Sequence, residues 1–126
     1  MFSVGHVYTR DEIGNQVGGS KQTYLPTCGG MVVAACLTKD LNPLAPRVIL
    51  CGTPPMVARA GDILARQTEA IPVFVKLDVN RWEYHGHFRP KASYTSGLEF
   101  ERLVDGSGRA RSDVTRAVVL EPITAA

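Results

Sequence analysis

Cysteine, tryptophan and long apolar runs are all scarce in this 126-residue sequence. The cysteines, Cys28, Cys36 and Cys51, are odd in number and lack a Cys-x-x-Cys pair. That argues against both a disulfide framework and a zinc site, and reduced thiols fit a cytoplasmic protein. The longest apolar run, residues 31–37, has the length of a strand; a membrane helix needs roughly 18 residues. Residues 1–10 lack a charged region followed by an apolar stretch, so no secretory leader is expected. Neither sign of charge dominates: 14 Lys+Arg stand against 12 Asp+Glu, a net +2. This excludes a uniformly basic nucleic-acid coat and leaves room for one local basic face. No internal repeat or low-complexity tract is visible. Gly-x-Ser-x-Gly, His-Glu-x-x-His, a Walker loop and paired carboxylates with acid–base spacing are all missing. A non-catalytic protein without cofactor or metal is therefore expected.

What is present is globular in character. Hydrophobic residues make up 44% and charged residues 21%, as in folded domains. The length suits one domain, 1–126, with its own core. Thr9 is a candidate N-cap for a short helix with Asp11 and Glu12 in its first turn, ended by Gly18 and Gly19. Residues 29–39 are continuously apolar at the centre and read as a buried strand. Residues 40–46 hold two prolines and read as a loop, and 47–51 as a second apolar strand. Pro54 and Pro55 open the clearest helix, with Met56, Val57, Ala60, Ile63 and Leu64 at helical spacing and Pro72 as its stop. Strands are expected at 71–77, 81–88 and 115–120, a short helix at 96–104 and a loop at 105–112. In the 81–88 strand, alternation puts Trp82, Tyr84, Gly86 and Phe88 on one face and Arg81, Glu83, His85 and His87 on the other. Five or six strands with two or three helices, and no regular βαβ alternation, indicate an α+β fold: a small, curved open β-barrel with a helix plugging one end.

Four groups of residues can carry function. Ser20, Lys21, Gln22 and Thr23 follow two glycines and precede Tyr24; such a loop suits phosphate or base-edge contacts, and also suits a plain helix cap. The aromatic residues Trp82, Tyr84 and Phe88 suit a core or a stacking surface for a planar ligand, with Trp82 the more exposed member. Arg89, Lys91, Arg109 and Arg111 fall in expected loops, where they can meet phosphates or simply solvate the surface. His85 and His87 have the spacing of two metal ligands; no third His completes a set, and Glu83 shares their face.

Several of these stretches occur together in one known family. Tyr8-x-Arg10-x-Glu12-Ile13 followed by Gly18-Gly19-Ser20-x-Gln22 resembles the opening of the YDG/SRA-like domains of modification-dependent restriction systems. Ala65-Arg66-Gln67, Ile71-Pro72-Val73-Phe74-Val75, Trp82-Glu83-Tyr84-His85-Gly86-His87-Phe88 and Val118-Val119-Leu120-Glu121 follow in a similar order. The resemblance implies a PUA-like open β-barrel and a non-catalytic reader that flips a modified cytosine into an aromatic-lined pocket. Gly52-Thr53-Pro54-Pro55 stands where such domains usually place a group that contacts the base. The residues expected to bind DNA are Lys21, Arg89 and Lys91 on phosphates, Ser20 and Gln22 on base or backbone, and Tyr8, Tyr24 or Trp82 as stacking groups. The expected partner is DNA carrying a modified base, with any nuclease on a separate chain or domain. A protein-interaction module on the same barrel, or a small enzyme using His85 or His87, are the alternatives.

Overall fold

The computed structural model describes residues 1–123; of the expected domain 1–126, residues 124–126 lie outside the described ones. The chain opens with strand β1 (Val7–Tyr8) and helix α1 (Arg10–Val17). Thr9 caps α1 as expected. Its hydroxyl accepts from Glu12 N at 3.1 Å, and the Glu12 carboxylate accepts from Thr9 N at 2.9 Å. Two orphan donors are thereby satisfied reciprocally. Strands β2 (Thr27–Cys28), β3 (Met31–Val32), β4 (Ala35–Leu37) and β5 (Val48–Cys51) follow, then helix α2 (Pro55–Arg66). The long pair β6 (Ile71–Asp78) and β7 (Arg81–Tyr94), helix α3 (Leu98–Ser107) and β8 (Arg116–Pro122) complete the order.

One six-stranded mixed sheet runs β4-β6-β7-β8-β5, with β1 added beside β7. The sheet is not closed, and β2 and β3 form a separate hairpin. β4 lies parallel to β6, and the other pairings are antiparallel. The first half of β7 pairs with β6 and its second half with β8. One long strand therefore bends across both halves of the sheet and gives it the curvature of an open barrel. The main core lies between the sheet and α2, whose Ala60, Ile63 and Leu64 pack against Ile71, Val73, Phe88 and Leu120. The far end of α2 is tied down by Gln67, whose amide exchanges two 2.9 Å hydrogen bonds with the Val32 backbone.

Three expectations change. The apolar stretch 29–39 forms two strands, because β3 pairs with β2 while β4 pairs with β6. Arg89 and Lys91 lie in strand β7 and not in a loop, with Lys91 the unpaired residue at a register shift opposite β8. The simple alternation in 81–88 also fails. β7 is bulged at His85, since Val73 pairs with Gly86 but Phe74 pairs with Tyr84. The extra residue shifts the pleat by one, so side chains beyond it change faces. Trp82 and Tyr84 pack with Phe74 and Ile13, while Phe88 joins the core under α2. The same bulge separates the histidines. His87 is hydrogen-bonded to the Tyr84 hydroxyl, and His85 pairs with Glu83 at 3.2 Å.

Candidate nucleic-acid interface

One large cleft, about 1250 Å³ in volume, opens on the side of the sheet where α1, the loop after it and the start of α2 meet. Arg10, the first residue of α1, organises its near wall. Its backbone N–H donates to Asn80 Oδ1 at 2.9 Å. Its Nη2 donates to the carbonyls of Ser20 and Thr23 at 3.0 and 2.9 Å. A single residue thus links the loop, through its side chain, to the β6–β7 turn, through its backbone. The guanidinium carbon stands 5.3 Å from the Trp82 ring centroid, and Lys76 Nζ stands 5.6 Å from the same centroid. Two cations near one indole gain attraction from its quadrupole. Arg10 Nε and Trp82 Nε1 are buried without hydrogen-bond partners.

The expected loop residues do line this cleft. Ser20, Lys21, Gln22 and Tyr24 all contribute to it. Ser20 Oγ accepts from Gln22 N at 3.1 Å, shaping a local turn. Lys21 lies along α1, with Nζ 3.3 Å from Asp11 and 3.4 Å from Asn15 Oδ1. The Tyr24 hydroxyl donates to the Val57 carbonyl at 2.5 Å and anchors the loop to α2. Burial pushes the Tyr24 phenol well above its usual range. Burial likewise raises the Cys36 and Cys51 thiols to about 11. Both stay neutral near pH 7, so neither is poised as a nucleophile.

Trp82 lines the cleft but is only 7% exposed, contrary to the expectation of an exposed ring. Its position opposite Lys76 in the pleat turns it toward Ile13 and Phe74. Tyr8 belongs to an aromatic cluster, 5.0 Å from Phe2 and 6.1 Å from Phe74 between ring centroids, and its hydroxyl accepts from Ser3 N. Tyr8, Arg89 and Lys91 are not among the residues lining the cleft. Arg89 instead pairs with Glu121 at 2.7 Å. In their place the fold brings Arg10, Arg59, Lys76 and Arg109 together with Lys21. Arg10 was visible in the sequence within a motif, whereas Arg59 carries no local signal because only α2 packing aims it here. Asn80 is the other residue the sequence reading missed. Its φ of +52° marks a left-handed turn position, which Asn tolerates better than most side chains.

Among the described residues no helix is long and apolar enough to cross a membrane. No group of three or more metal-type side chains occurs among them either. The α+β open-barrel expectation agrees with the fold of a solved structure, the SUVH5 SRA domain in complex with hemimethylated CG DNA. The two are similar with a TM-score of 0.64 over 98% of this chain and 90% of that chain, at 13% identity. At that identity the likeness is one of fold, and the fold is SRA-like. No curated protein matches the sequence. A family model described as a domain of unknown function, DUF6697, matches residues 7–115, and the chain belongs to that family.

Proposed function

We propose that this protein is a non-catalytic DNA-binding module that takes a flipped, modified base into the cleft. The carrying observation is the clustering of Arg10, Lys21, Arg59, Lys76 and Arg109 around one cleft whose described lining holds a single carboxylate residue, Asp113. A chain of net charge +2 thus gathers five of its 14 Lys and Arg residues on one concave surface, which is how phosphate attraction is concentrated. The fold similarity to an SRA domain solved with DNA supports the same reading. Flipping a base costs a few kcal/mol, which pocket contacts and stacking offset.

In this reading Lys21 meets a phosphate, Ser20 and Gln22 contact base or backbone, and Tyr24 and Trp82 form cleft walls. Tyr8, Arg89 and Lys91 lie off the cleft, and its own cations replace them. The unit is one domain, 1–126, and any cutting of DNA belongs to a separate nuclease chain or domain. The interaction-module alternative called for an exposed Trp82–Tyr84 patch without a basic rim, but both residues are buried. The enzyme alternative called for a concave site at His85 or His87, and neither lines the cleft.

The test is a titration of unmodified and base-modified duplexes at two salt concentrations. Binding that weakens steeply with salt and favours a modified duplex is expected. No binding, or binding indifferent to salt, overturns the reading.

A further inference from the structure

Taking a base out of a duplex leaves a gap in the stack, and an apolar side chain wedged between base steps can fill it. The cleft offers few groups for that task. Its two large aromatic rings belong to its walls. Trp82 is buried with Ile13, Phe74 and Tyr84, and the Tyr24 hydroxyl is bonded to the Val57 carbonyl. Neither ring can enter a duplex without breaking the contacts that hold the cleft together. Among the described residues, the exposed large hydrophobic side chains on the lining are Leu41 and Met56.

Met56 is the better placed of the two. It is 82% exposed, against 56% for Leu41, and its unbranched side chain is the longer and more adaptable one. It lies in the first turn of α2, directly after Pro54 and Pro55. The proline rings fix the backbone there, and Ala60, Ile63 and Leu64 tie the helix into the main core further along. The side chain is free while its point of attachment is held. Arg59 lines the same cleft, and residues three apart are neighbours on a helix surface. The start of α2 therefore offers the cleft an apolar side chain beside a cation. Its first turn carries no acidic residue to repel a phosphate.

We infer that Met56 is the wedge that enters the duplex at the flipped position. The inference rests on the DNA-binding reading above and names a positioning residue for it. The apolar side chain takes the space the base has left, and the neighbouring pairs keep a surface to pack against. An exposed side chain with this role contributes to binding and not to folding.

The experiment compares two duplexes that differ only in the base opposite a central 5-methylcytosine: guanine in one, adenine as a mismatch in the other. A mismatched base costs less to flip, so the wedge matters most for the paired duplex. Met56→Ala is expected to weaken binding of the paired duplex at least about tenfold and of the mismatched duplex no more than about threefold. Met56→Leu should restore most of the paired affinity, whereas Met56→Gln, similar in length but polar, should not. All three variants should keep the wild-type thermal midpoint, and the salt dependence of binding should not change, since no charge is lost. An equal loss on both duplexes, no loss on either, or a paired-selective loss in Leu41→Ala instead overturns the inference and leaves DNA binding standing. Failure of the wild-type protein to bind either duplex overturns the DNA-binding reading itself.

Discussion

Arg10 and Trp82 form the pivot of the cleft. The guanidinium carbon lies 5.3 Å from the indole centroid while Nη2 holds the carbonyls of Ser20 and Thr23. The pairing joins the start of α1, the loop after it and strand β7. The loop after Gly18 and Gly19, tied to α2 through Tyr24, acquires a second anchor in Arg10.

Replacing Arg10 by alanine should therefore act on the loop first. Two hydrogen bonds from a charged group are lost, and a destabilisation of about 1–3 kcal/mol is expected. Hydrogen exchange should show the amides of residues 20–24 losing protection more than those of β6 and β7. Arg10→Lys should rescue little, since one ammonium cannot reproduce the planar fork. Full rescue by lysine would show that charge near Trp82, and not the carbonyl clamp, matters.

Lys21 should separate binding from folding. Its side chain is 45% exposed and faces an exposed Asp11, an arrangement that contributes little stability. Lys21→Ala is expected to leave the thermal midpoint nearly unchanged. The slope of log affinity against log salt for duplex DNA should fall by about one unit. An unchanged slope would remove Lys21 from the phosphate contacts.

Gly61 tests the packing of α2 against the sheet. In an exposed helix, glycine to alanine gains about 1 kcal/mol. Here a Cβ would collide with Cys51 Sγ and come within 3.6 Å of the Tyr24 hydroxyl. Overpacking of this kind costs about 1–3 kcal/mol, so Gly61→Ala should lower the urea midpoint. A higher midpoint would mean that α2 shifts easily.

His87 gives a pH dependence. Burial holds its pKa below the usual value of 6.5, so the unfolded chain takes up the proton more readily. This contribution to stability is complete above pH 6.5 and is lost as the pH falls below it. Thermal unfolding at pH 7 and pH 5 should show a loss on acidification that is smaller in His87→Gln. An identical loss in the variant would assign the acid sensitivity elsewhere.

The thiols give a chemical check on the core. Cys28 is exposed, while Cys36 and Cys51 are buried and raised to about 11 by that burial. At pH 8 a thiol reagent should modify one cysteine quickly in the folded protein and all three after unfolding. Rapid modification of Cys36 would show that the cleft opens to the level of its buried wall.

Much of this protein was decided locally, and those parts could be read from the sequence. Thr9 with Glu12 makes a capping box, and the pattern 56, 57, 60, 63, 64 makes an amphipathic helix after a proline start, because caps and periodicity act within a few residues. The 18–22 loop was legible as a loop for the same reason, since paired glycines followed by polar side chains mark one locally, whereas its position is set by Arg10 and by the Tyr24 bond to Val57. The bulge at His85 was not legible, because a one-residue shift depends on what Val73 and Phe74 pair with across the sheet. That shift put Phe88 on the face opposite Trp82 and Tyr84 and parted the histidines. Nor did the near-neutral charge reveal the basic cleft, for Arg10, Arg59, Lys76 and Arg109 meet only when α1, α2, strand β6 and the segment after α3 pack together. Composition determined that the chain could hold a core and carried a nearly balanced charge. Long-range pairing decided which side chains face one another, because strand register and helix packing are set by contacts between residues far apart in the chain.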